Sequence, residues 1–209
     1  MRIGLTGGIA SGKSRIENIF RNQGYPVLDT DKVEFVLRSG ELNSIEDIVT
    51  DDSFFLELIK KLSLKSKSTL KKVLPALYDN FDNFSRSSLL SYINNETYGA
   101  VNYEAYSKTI NLMSVKFYEA WAIKNNFDSV LSSATIIERN NLHLVDKLYL
   151  LWISKDKQLH FLLQRENKNG SHLSRNDAIK AIERQHSAET KYKIAIENIG
   201  EENVMILNG

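Results

Sequence analysis

Cysteine is absent from the 209-residue chain. Its absence excludes disulfides, thiolate metal sites and a cysteine nucleophile, and it suits a reducing, cytoplasmic compartment. An excess of charge is missing too: 27 Lys+Arg against 26 Asp+Glu leave a formal net charge of +1. No global field therefore draws the chain to nucleic acid or to a membrane surface, and any anion it binds must be gripped locally. Long apolar runs are also lacking. The longest, Leu148 to Ile153 (LYLLWI), falls far short of the roughly 20 residues that cross a bilayer. The short run behind Met1 passes straight into glycines and a lysine, which predicts no export signal. Internal repeats and low-complexity tracts are absent, and His143, His160, His172 and His186 have no metal-binding spacing such as HExxH.

The hydrophobic fraction of 42% is enough for a substantial core. Arg2 to Thr6 reads as a strand, the glycines after it as a loop, and Lys13 to Gln23 as a helix, with Ile16, Ile19 and Phe20 at helical spacing and Gly24 as its stop. Tyr25 to Leu28 makes a second strand, ending at Asp29-Thr30-Asp31. From Lys32 to about Phe127 the pattern turns to helix-forming segments with no clear strand. Strand character returns in SVLSSA (Ser129 to Ala134), KLYLLWIS (Lys147 to Ser154) and NVMIL (Asn203 to Leu207). Helices are expected around Asp156 to Arg165 and, capped by Ser174, from about Asp177 to Ile199. Strands alternating with helices predict an α/β fold with a parallel sheet covered on both faces.

The opening stretch GLTGGIASGKSR satisfies GxxxxGK[ST] through Gly7, Gly12, Lys13 and Ser14, in the strand–loop–helix context that motif requires. Glycines let successive amides turn inward around phosphate oxygens, with the positive end of the helix behind them. Gly7, Gly8, Ala10, Ser11, Gly12, Lys13, Ser14 and Arg15 are thus the candidate nucleotide-binding residues. Lys13 is placed to reach the β- and γ-phosphates of ATP, and the Ser14 hydroxyl to ligate Mg²⁺. Asp29 and Asp31 stand at the end of the second strand, where an open α/β sheet opens its ligand crevice. A carboxylate there accepts the proton of an attacking hydroxyl or holds Mg²⁺ through water, the reading favoured for Asp31 over its alternative as a cap of the next helix.

These residues carry a family likeness. LTGGIASGKS followed by GYPVLDTDKV resembles the start of the dephospho-CoA kinases, a P-loop and then a strand ending in Asp-x-Asp. VDKLYLLWISKDKQLHFLLQRE is similar to that family's fourth strand and next helix, ending in Gln164-Arg165. LSRNDAIKAIERQHSAETKYK resembles its lid, with Ser174-Arg175, and a helix ending in Gln185. FSRSSLLSYI resembles the segment that sets an arginine, here Arg86, before a helix. The resemblance implies a P-loop kinase fold: a five-stranded parallel sheet built from residues 1–31 and 128–209, a helical acceptor-binding insertion over 32–127, and a lid over about 164–178. It implies Asp31 as the base for a ribose 3′-hydroxyl, Asp29 and Arg86 toward the acceptor, and Arg165 and Arg175 as phosphate clamps. It further implies Asn208, in the Asn208-Gly209 ending, as an adenine contact, with Asn198 to Gly200 as the alternative.

The departures fall on the acceptor side. Ser107-Lys108 stands where the family usually has His-Pro. SSATIIER has no proline after the third strand and keeps only Glu138 as the acidic residue there. Lysine-rich KKLSLKSKSTLKK (Lys60 to Lys72) replaces a glycine-containing stretch and reads as a solvated face. The aromatics Tyr103, Tyr106, Phe117, Tyr118 and Trp121 have the spacing of a helix's core side. The expected activity is ATP- and Mg²⁺-dependent phosphorylation of a small-molecule acceptor, the ribose 3′-hydroxyl of dephospho-CoA, to give coenzyme A and ADP; the alternatives are a nucleoside or deoxynucleoside monophosphate kinase, whose acceptor is a nucleotide, and a non-catalytic ATP-binding protein.

Overall fold

The computed structural model describes residues 1–42, 53–75, 99–126, 128–168 and 173–209. Their elements run β1 (Arg2–Gly7), α1 (Lys13–Asn22), β2 (Val27–Asp29), α2 (Thr30–Ser39), α3 (Ser53–Val73), α4 (Gly99–Lys124), β3 (Ser129–Ser132), β4 (Lys147–Trp152), α5 (Lys155–Lys168), α6 (Arg175–Glu183), α7 (Ala188–Ile199) and β5 (Val204–Asn208). Five parallel strands form one sheet in the order β2-β3-β1-β4-β5. The chain divides into two compact units, one of Met1–Asp29 with Ala122–Gly209 and the other of Thr30–Trp121.

In the first unit β1 is the central strand, paired to β3 on one side and β4 on the other. It is covered on both faces, hence its apolar run rather than an in–out alternation. Ile3, Leu5, Val27, Val130 and Leu151 pack as one cluster, against which Ile16 and Phe20 of α1 lie. That spacing of four residues puts both on one side of the helix. Leu5 is wholly buried, so Leu5→Ala costs about 2–5 kcal/mol. Gly24 stops α1 from the left-handed region, φ +85°, where a side chain is strained. Its amide donates to the Arg21 carbonyl at 2.9 Å.

The connection through α1 carries the chain from β1 toward one edge of the sheet, and α5 carries it from β4 toward the other. The adjacent strands β1 and β4 therefore form the topological switch point, where an open α/β sheet parts to admit a ligand at its carboxyl end. Beyond β4, Leu159 and Leu162 of α5 pack on Ala178 and Ile182 of α6.

The helix expected from Asp177 to Ile199 is two helices, α6 and α7, separated at Arg184–Ser187. Ser187 is extended (φ −61°, ψ 161°) and its hydroxyl accepts from the Thr190 amide, starting a new helix. This is the capping chemistry that the run of helix formers conceals. Ser174 caps α6 as expected, accepting from the Asp177 amide at 3.1 Å.

The second unit is helical in its described residues. Val33, Val36 and Leu37 of α2 and Ile59 and Leu70 of α3 are fully buried, and the Ser63 hydroxyl donates to the Val36 carbonyl at 3.0 Å. Tyr106, Ile110, Met113, Phe117, Tyr118 and Trp121 are the buried side of α4, so the described aromatics of that stripe are core. Lys60, Lys61, Lys65 and Lys72 are exposed.

Candidate active site

β1 ends at Gly7, and the eight-residue GxxxxGKS stretch closes over its carboxyl end. The Ser11 amide donates to the Gly8 carbonyl at 3.1 Å. Ala10 (φ 59°) and Gly12 (φ 91°) lie in the left-handed region, which turns successive peptides the same way round. Gly12 is the N-cap of α1. No side chain caps it and the first turn carries no acidic residue. A bare helix start of this kind keeps its unpaired amides and its positive end for an anion.

Two glutamines fix the loop. Gln185 Oε1 accepts from the Ile9 amide at 2.7 Å, and Gln158 Nε2 donates to the Ile9 carbonyl at 3.1 Å. The two peptide groups flanking Ile9 are thereby held, which accounts for the non-glycine residue next to it, Ala10, keeping a costly backbone. Two of the glycines are required by space. A Cβ on Gly8 would collide with the Gln158 amide, and one on Gly7 would stand 2.5 Å from Ser11 Oγ and 2.9 Å from Leu151 Cβ.

Beside the loop, at the switch point, opens a cavity of about 660 Å³ whose walls include Gly8, Gln158, Gln185, His186, Asn208 and Gly209. Its size falls in the range of a pocket for a small organic ligand. The Gly209 carbonyl accepts from Lys157 Nζ at 2.9 Å. Of the two alternatives for an adenine contact, Asn208-Gly209 lines this cavity, whereas Asn198 donates to the Ile194 carbonyl within its own helix.

Two buried charged groups complete the surroundings. Lys191 of α7 is wholly buried; its ammonium lies 3.0 Å from Glu138 Oε1 and donates to the Ala134 carbonyl at 2.6 Å. Burial pushes the Lys191 pKa below the ordinary lysine value, Glu138 opposes that shift, and the charge of Lys13 adds to it. Glu138 also accepts from the His186 amide at 3.1 Å, next in the chain to the Gln185 that holds Ile9. Glu17, the buried residue of α1, accepts from the Ser132 hydroxyl at 2.6 Å.

Lys13 is half-buried at the helix start, with Ser14 and Arg15 exposed beside it. Asp29 is the last residue of β2, and Asp31 lies in the first turn of α2, exposed. The two arginines that the family likeness assigns to the phosphates lie on α5 and at the start of α6. Arg165 bonds its neighbour Glu166 at 3.0 Å. Arg175 lines a separate groove of about 500 Å³ with Asp156, His160 and Gln164. Arg86, His172 and part of the 164–178 segment lie outside the described residues. No local pattern in the sequence marks Glu17, Gln158, Gln185 or Lys191 for a role at the loop. Their partners lie 53 to 176 positions away, beyond the reach of any local pattern.

Comparison with known proteins converges on one family. The dephospho-CoA kinase family model matches residues 1–63. The dephospho-CoA kinase of Shouchella clausii is 30% identical over 168 residues, 79% of this chain and 74% of that one. That of Carboxydothermus hydrogenoformans is 27% identical over 201 residues, 95% of this chain and 85% of its own. The crystal structure of a Thermus thermophilus protein superposes with a TM-score of 0.69 at 17% identity, covering 100% of this chain and 88% of that chain. The dephospho-CoA kinase from Campylobacter jejuni superposes with a TM-score of 0.54 at 19% identity, covering 100% and 87%. At those identities the two solved structures speak for the shared fold. With a nucleotide loop of this geometry and a relative 30% identical over most of both chains, the chain belongs to the dephospho-CoA kinase family.

Proposed function

We propose that the protein transfers the γ-phosphoryl group of ATP to the ribose 3′-hydroxyl of dephospho-CoA, giving coenzyme A and ADP. The observation that carries this reading is the uncapped start of α1 at Gly12, held open beneath the loop in a chain whose relatives are dephospho-CoA kinases. Phosphoryl transfer passes through a loose transition state, so the protein contributes mainly positioning and positive charge. The loop amides and Lys13 grip the β- and γ-phosphates. The cavity ending at Asn208-Gly209 takes the adenosine end of ATP. Asp31, in the first turn of α2, receives the proton of the attacking hydroxyl, and Arg165 and Arg175 are assigned to neutralise the transferred group. Asp29 and Arg86 are assigned to the acceptor.

Mg²⁺ fits the groups present. The Ser14 hydroxyl stands in the first turn of α1 with the Glu17 carboxylate one turn on, and the described residues hold no group of three or more acidic or histidine side chains suited to a metal. Mg²⁺ accepts such a sparse set, since phosphates and water supply most of its shell. When bound it neutralises charge on the β- and γ-oxygens. The test is ADP release by the purified protein with ATP and Mg²⁺ saturating. Turnover that requires dephospho-CoA supports the reading. Turnover with nucleoside monophosphates in its place, or none with any acceptor, refutes it.

A further inference from the structure

P-loop enzymes hold Mg²⁺ with the loop Ser/Thr and a carboxylate at the end of a neighbouring strand. Here the strand beside β1 ends in Ser132, and Ser133 and Ala134 follow. The position is neutral, yet a carboxylate is present there. The Ser132 hydroxyl donates to Glu17 Oε1 at 2.6 Å, so the acidic group at this strand end is delivered by α1.

Glu17 is the most deeply buried residue of α1, 4% exposed, a costly place for a carboxylate that has only a structural task. Its second oxygen makes a long contact, 3.4 Å, with Arg21, which leaves it capacity as an acceptor. Glu17 stands three residues after Ser14 and four after Lys13, a spacing that puts all three on one side of α1. The β2–β3 register sets Asp29 directly opposite Ser132, adding a second acidic residue at the same edge. Two hydroxyls at this end of the sheet, Thr6 Oγ1 and Ser11 Oγ, are buried without a partner, and that of Ser11 turns toward Gly7. Unused hydrogen-bonding capacity on the inner side of the loop points to a ligand.

We propose that Glu17 is the carboxylate that holds Mg²⁺ with ATP in this protein, in place of an acidic residue on β3. The proposal rests on the ATP-dependent kinase reading of the same loop. Its test is calorimetric titration of ATP with and without Mg²⁺, which needs no turnover. Glu17→Gln keeps the shape and an acceptor for Ser132 while removing the charge. The expected result is a loss of about 10–100-fold in the gain that Mg²⁺ gives to ATP affinity, with Mg²⁺-free ATP bound at least as tightly as by the wild type. Glu17→Ala/Ser132→Asp, which returns the carboxylate to the strand, is expected to recover most of that gain, and it supplies the measurement if Glu17→Gln melts early. A folded Glu17→Gln protein with its Mg²⁺ gain intact overturns the proposal and leaves the kinase reading standing. A wild type that binds no ATP in either condition removes both.

Discussion

Inside the sheet-bearing unit the ammonium of Lys191 meets the carboxylate of Glu138 at 3.0 Å, with the two side chains 1% and 17% exposed. A buried pair loses more when one partner is removed than when both are neutralised, because the survivor keeps its desolvation cost. Lys191→Met is therefore expected to destabilise the protein by roughly 3–5 kcal/mol, and Lys191→Met/Glu138→Gln to recover part of that loss. Urea denaturation of the three proteins checks the order. Equal stability of single and double variants contradicts it.

The loop glycines separate two kinds of cost. A Cβ on Gly12 meets nothing within 4 Å, but the residue sits at φ +91°, so Gly12→Ala carries a backbone penalty of about 1–2 kcal/mol. Gly7→Ala drives into Ser11 and Leu151, displacing the loop itself. ATP affinity by calorimetry is expected to fall much further for Gly7→Ala than for Gly12→Ala.

Asp31 and Lys13 have distinct assigned duties, and kinetics distinguishes them. Removing a general base costs about 10²–10⁴-fold in kcat, with little change in the KM for ATP, which is the pattern expected of Asp31→Asn. Lys13→Ala is expected to weaken ATP binding as well as to slow transfer. A normal kcat for Asp31→Asn leaves that carboxylate the task of complementing the positive end of α2 from its first turn.

Asp146 gives a pH dependence. Its carboxyl is held below the usual aspartate value chiefly by the side-chain hydrogen bond from Arg2, at 2.6 Å. A carboxylate depressed on folding contributes stability that is present above its unfolded pKa and lost as pH falls through the folded one. Asp146→Asn is thus expected to lower stability at neutral pH by about 0.2–1 kcal/mol, the scale of an exposed pair. Melting curves of the two proteins should converge as pH drops below the unfolded pKa of aspartate and through the depressed one.

The parts of this site visible in the sequence are those that local chemistry dictates. Gly7, Gly12, Lys13 and Ser14 declare a loop between a strand and a helix because glycine freedom and apolar spacing act within a few residues. Asn208 was legible only through likeness to a family. Glu17 and Ser132 are 115 residues apart, and Gln185 and Ile9 are 176 apart. Their pairing depends on strand order and register, which leave no trace in local spacing. The break between α6 and α7 had a local signal, Ser187 three residues before Thr190, masked by continuous helix formers on either side. Arg165 and Arg175 show the converse: likeness supplied their roles, and the structure sets one against Glu166 and the other in the α5–α6 groove.

The most direct measurement is the mass of the product formed from dephospho-CoA, ATP and Mg²⁺ by the purified protein. The account predicts coenzyme A, phosphorylated on the ribose 3′-oxygen, accumulating in step with ADP and absent with Lys13→Ala. Unchanged dephospho-CoA beside intact ATP, in a sample shown to be folded and to bind ATP, contradicts it.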